Sequence, residues 1–104
     1  MDNKKEEKFD EPIDIEAYSK EGKSVPPQKT YIIRIDQQKY TVTKECMKGR
    51  DILVLAGKNP PERFQLNMRL KGGQVVKVGY DKTVCFTEPG VERFMTIPLD
   101  QTEG

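Results

Sequence analysis

Histidine is absent from this sequence, which removes the commonest general base and the commonest metal ligand. The serines are Ser19 and Ser24, both in a polar N-terminal stretch. Carboxylates are plentiful but stand in no catalytic or metal-binding spacing. Cys46 and Cys85 are spaced for neither a zinc site nor a redox motif, and two buried free thiols are expected rather than a disulfide. These points argue against an enzyme, and no metal or cofactor is expected in the chain. One group with chemistry remains, the carboxylate of Gly104, at the end of Pro98-Leu99-Asp100-Gln101-Thr102-Glu103-Gly104. Glycine has no side chain to shield a carboxylate, and its backbone threads channels that exclude a Cβ. An enzyme that activates a carboxylate would therefore take Gly104 as substrate. A frayed polar tail that simply finishes on glycine is the alternative.

The elements that would carry such a tail must be few. A chain of 104 residues holds one domain at most, and 34% charged against 35% hydrophobic residues implies a modest core. The net charge is +1 with no long basic block, which excludes nucleic acid as the main partner. No apolar run is long enough to span a membrane and no signal-peptide pattern opens the chain, so the expected location is the cytoplasm.

Residues 1–29 read as a flexible polar leader: charges of both signs, the Pro26-Pro27 pair and few apolar residues. Phe9, Ile13, Ile15 and Tyr18 stand in it as sparse apolar anchors, either a short docking segment or linker residues. The compact domain spans 30–98. Tyr31, Ile33 and Ile35 alternate as one face of a strand, Asp36-Gln37-Gln38 suits a turn, and Lys39 to Thr43 resumes the alternation to complete a hairpin. The period then changes. Met47 to Gly57 suits a short helix with Ile52, Leu55 and Ala56 toward a sheet, stopped by Gly57 and Pro60-Pro61, although Ile52 to Leu55 also reads as a buried strand. Phe64 to Arg69 is a third strand, Lys71-Gly72-Gly73 a turn, and Gln74 to Val78 a short edge strand. Asp81 to Gly90 reads as a helical turn or irregular crossover around Val84 and Phe86. Glu92 to Ile97 is the last strand, and 99–104 a flexible tail. A mixed sheet of four to five strands with one helix across it is the economical α+β packing, with the first and last strands parallel at its centre. This is the order of the β-grasp fold.

Several segments resemble the bacterial ubiquitin-like proteins of the multiubiquitin-domain family. They are Tyr31 to Asp36, Gly49 to Gly57, Pro60 to Phe64, Thr87 to Phe94, and the closing Gln101-Thr102-Glu103-Gly104. The resemblance implies a protein modifier encoded beside an activating enzyme, a conjugating enzyme and a processing or deconjugating peptidase, in systems linked to defence against phage. Two departures stand out. Ubiquitin ends in two glycines where this tail has Glu103-Gly104, and some family members carry several tandem domains where this chain has one.

On that resemblance Gly104 is the conjugation site, and Leu99, Asp100, Gln101, Thr102 and Glu103 are the tail that enters an enzyme channel. ATP would be used by the partner activating enzyme. Pro98 favours an extended exit from the last strand, or is a plain strand stop. With Phe94 toward the helix, Arg93, Met95 and Ile97 point outward as a partner surface. A register shifted by one residue would reverse every assignment. Two other functions fit the same fold: a sulfur carrier that forms a C-terminal thiocarboxylate, and an interaction module never conjugated.

Overall fold

The computed structural model describes residues 11–99. In chain order it contains β1 (Ile13–Asp14), α1 (Ile15–Lys20), β2 (Tyr31–Ile35), β3 (Gln38–Val42), β4 (Cys46–Lys48), α2 (Gly49–Leu55), a 3-10 turn (Pro61–Arg63), β5 (Phe64–Leu70), β6 (Val75–Val78), β7 (Thr83–Cys85) and β8 (Val91–Pro98). The architecture is a mixed sheet with one main helix, α2, packed on it, as the β-grasp order requires.

β3 pairs along the whole of β2 from Tyr31 to Ile35, so it occupies one edge of that strand. β8 meets the other edge in parallel at a single register pair, Ile35 with Phe94. β5 runs antiparallel to β8, and β6 closes the sheet against β5. Tyr31, Ile33, Ile35, Leu66, Phe86 and Phe94 are fully buried or nearly so, together with Ile52 and Leu53 of α2. The helix face therefore includes Leu53, whereas Leu55 and Ala56 pack only partly against the core. α2 is shorter than expected because Cys46–Lys48 is spent on a strand. It stops by donation from the Gly57 amide to the Val54 carbonyl and from the Lys58 amide to the Leu53 carbonyl. This pattern needs a left-handed residue at Gly57, whose φ is 77°.

Four expectations are corrected. The 1–29 segment is not a flexible leader throughout. Residues 1–10, Phe9 included, lie outside the described residues, but Ile13–Asp14 pairs in parallel with Tyr31–Ile32 and α1 packs against β8 and β2. Ile13 and Ile15 join the core. The physical reason is the brevity of the β2–β8 pairing: β1 takes the part of the β2 edge that β8 leaves open. Asp14 caps α1, accepting from the amides of Glu16 and Ala17 at 3.1 and 3.4 Å.

Cys46 and Cys85 are not free thiols. They are directly opposed partners in the antiparallel β4–β7 ladder and form a disulfide. The segment 81–90 is accordingly not a helical turn: Thr83–Cys85 is a strand of this second, two-stranded sheet. At its base a Cβ on Gly49 would collide with the Gly79 carbonyl oxygen, so the start of α2 admits no side chain there. The main sheet has six strands, not four or five, because β1 joins it.

Candidate functional site

β8 determines what the end of the domain presents. Its register with β5 pairs Met68 with Phe94, Asn67 with Met95 and Gln65 with Ile97. Phe94 is fully buried and packs edge-on against Phe86 at 6.3 Å between ring centroids. Strand alternation then puts Arg93, Met95 and Ile97 on the opposite face, beside Asn67 and Gln65. Arg93 and Met95 are half-buried there and Ile97 is 44% exposed.

The start of β8 is sealed. A bulge separates the Leu70–Val91 pair from the Arg69–Arg93 pair, leaving Glu92 as the extra residue. Glu92 is 7% exposed and Glu16 of α1 is 6% exposed. Lys20 reaches both carboxylates, at 3.3 Å from Glu16 and 3.9 Å from Glu92. Arg34 pairs with Glu16 at 3.2 Å and Arg69 with Glu92 at 3.7 Å. Two buried carboxylates are thus held among three cations, the arrangement that makes buried charge tolerable. Lys39 extends the tie to β1. Its ammonium donates to Asp14 at 2.9 Å, and that hydrogen bond and the carboxylate's charge hold the lysine pKa above its ordinary value.

The far end of β8 is fastened to β2 by Asp36, which stands at φ 57° just past Ile35. Its carboxylate accepts from the Thr96 amide at 2.9 Å and the Thr96 hydroxyl at 2.6 Å. Beyond Pro98, the Leu99 amide donates to the Arg63 carbonyl at 2.8 Å. Leu99 lines a groove of about 190 Å³ together with Gln65, Lys77, Val78 and Tyr80. The Tyr80 hydroxyl donates to the carbonyl of Phe64 at 2.7 Å and lies 3.3 Å from that of Glu62. Arg50 of α2 sits 5.8 Å over the Tyr80 ring and pairs with Glu62 at 2.7 Å. The hydrogen bond from Arg50 holds the Glu62 carboxyl below its ordinary pKa, helped by the residue's own backbone amide.

The multiubiquitin family's sequence profile matches residues 31–98, from the first residue of β2 to the last of β8. The chain belongs to the multiubiquitin family. No curated protein and no solved structure matches it. The match in this multiubiquitin protein begins after β1 and α1, so the element that seals the start of β8 lies outside the family region.

Of the residues singled out from sequence, the structure gathers Arg93, Met95, Ile97 and Leu99 along the last strand and its exit. Asp100, Gln101, Thr102, Glu103 and Gly104 lie outside the described residues. Sequence reasoning missed Arg50, Glu62 and Tyr80, which brace the exit from three separate segments. It also missed the cap signal of Asp14 before Ile15-Glu16-Ala17, which was there to be read. Among the described residues no group of Cys, Asp and Glu could hold a metal ion. No described helix is long and apolar enough to cross a membrane.

Proposed function

We propose that this chain is a ubiquitin-like protein modifier whose Gly104 carboxylate is joined to target proteins. The observation that carries the reading is the match to the multiubiquitin family over a domain whose last strand ends at the root of the tail. The chemistry follows from the carboxylate. A free carboxylate is a poor electrophile, so an oxygen of Gly104 attacks the α-phosphorus of ATP on a partner activating enzyme and pyrophosphate leaves. A cysteine thiolate of that enzyme attacks the acyl adenylate and AMP leaves. The thioester passes to a conjugating enzyme, and an amine of the target displaces the thiolate.

In this scheme the chain supplies the substrate and the docking surface, and its partners supply catalysis. Arg93, Met95 and Ile97 form the docking surface, in which Met95 offers an adaptable apolar contact. A peptidase trims or removes the modifier. ATP places the chemistry in the cytoplasm, and the family resemblance points to a bacterial anti-phage system.

ATP–pyrophosphate exchange on the activating enzyme of the same system tests this, comparing the full chain with one lacking Gly104. Exchange that requires Gly104 is the expected result. Equal exchange with both chains, or none with either on an enzyme shown to be active, overturns it in favour of a module that works by docking alone. A product heavier by sulfur in place of oxygen would instead identify a sulfur carrier.

A further inference from the structure

Leu99 was expected to belong to the tail that enters an enzyme channel. Its amide adds one more rung to the β5–β8 ladder, past the Phe64–Pro98 pair, by donating to Arg63 at 2.8 Å. Its side chain lines the groove between β5 and the Gly79–Tyr80 turn, together with Tyr80, and is 39% exposed. The wall of that groove is braced: the Tyr80 hydroxyl is tied to β5, and Arg50 links the Tyr80 ring to Glu62 and so to α2.

We infer that Leu99 is the anchor of the tail, a positioning residue of the folded body, and that Tyr80 is the wall it is seated against. On the modifier reading, Asp100 to Gly104 are the residues between this anchor and the reacting carboxylate. Five residues span at most about 17 Å. An activating enzyme must bring its adenylation site within that reach of the β5–β8 end, docking on the side where Ile97, Gln65 and Lys77 lie. The segment it reads is acidic, with Asp100, Glu103 and the terminal carboxylate, so the channel that accepts it is basic. The anchor stands on the structure alone. Its consequence for activation rests on the modifier reading above.

Amide hydrogen exchange on the full chain tests the anchor without any partner. Protection of the Leu99 amide by about tenfold or more over those of Gln101 and Thr102 is expected, because a hydrogen-bonded amide exchanges only on local opening. Tyr80→Ala should erase most of that difference. Equal exchange at Leu99 and the residues after it in the unaltered chain would overturn the anchor, whatever any variant does. With the activating enzyme, Leu99→Ala and Tyr80→Ala should each raise KM about fivefold at constant kcat, since loss of preorganisation weakens binding. The double variant should add little more, as coupled neighbours do. A KM effect of Leu99→Ala with none from Tyr80→Ala would put Leu99 in the enzyme channel and overturn the assignment. Exchange of pyrophosphate that ignores Gly104 would remove the modifier reading and leave the anchor standing.

Discussion

The two ends of β8 are built on opposite principles. At Val91–Glu92 the strand is enclosed by added elements, β1 and α1, with Ile13 and Ile15 in the core and a cluster of buried charge. At Ile97–Leu99 it is uncovered, held at its edges by Asp36 on one side and by Arg63 on the other. The first end uses apolar area, which stabilises, and paired buried charge, in which the Arg69 Nε makes no hydrogen bond. The second uses a few directed hydrogen bonds, which fix position while leaving the surface open. On the modifier reading, stabilising the strand where it begins leaves its far end open to a partner.

The sealed end should fail first when its support is removed. The disulfide fixes β7 immediately before Phe86, whose ring lies 6.0 Å from Tyr31 and 6.3 Å from Phe94. The cross-link spans 39 residues of sequence, for which loop closure alone predicts a contribution of about 4 kcal/mol. Chemical denaturation with and without a thiol reductant should show a lower midpoint on reduction, with no change for Cys46→Ser/Cys85→Ser treated the same way. An unchanged midpoint in the unaltered chain would mean that this corner does not support Phe94 of β8.

A paired substitution compares the ends directly. Ile15→Ala empties a fully buried core site at the start of α1 and should cost about 3 kcal/mol. Ile97→Ala removes an exposed side chain and should change stability by less than about 0.5 kcal/mol. If Ile97 serves docking, it should weaken partner binding instead. Equal stability losses at the two sites, read by urea unfolding, would erase the contrast between a sealed and a presented end.

Much of this contrast was legible in the sequence and part of it was not. The β2–β3 hairpin, α2, β5, β6 and β8 follow from alternation and from Gly57, because one-sided burial imposes a period that residues display. The face of β8 was legible for the same reason. β1 and α1 were hidden because eight residues with a few apolar positions among charges resemble a linker. Only the short β2–β8 pairing creates a place for them, and that is a property of topology. The pairing of Cys46 with Cys85 depends on β4 and β7 meeting across 39 residues, which no local pattern reports. Tyr80 was unreadable for a like reason: its partners, Arg50 and Glu62, become neighbours only when α2, the 3-10 turn and the Gly79–Tyr80 turn come together.

The smallest expected effect sharpens the comparison most. The presented end depends on an exposed ion pair, Arg50 with Glu62, whereas the carboxylates of the sealed end are buried. Exposed pairs are screened by salt and enclosed ones far less. The Glu62 carboxyl titrates below its ordinary value because Arg50 donates a hydrogen bond to its ionised form. A folded pKa below the unfolded one means that the contribution is present at neutral pH, above the unfolded value. It is lost as pH falls through the folded value. A titration followed at the Glu62 side chain should therefore have its midpoint below the usual carboxylate range. Protection of the Leu99 amide should decline in step, and 1 M salt should shrink both effects. Glu62→Gln should remove the acid dependence at Leu99 while leaving the thermal midpoint nearly unchanged, since the pair braces the groove rather than the core. A Leu99 amide indifferent to the ionisation of Glu62 would show that Tyr80 holds the groove without help from α2.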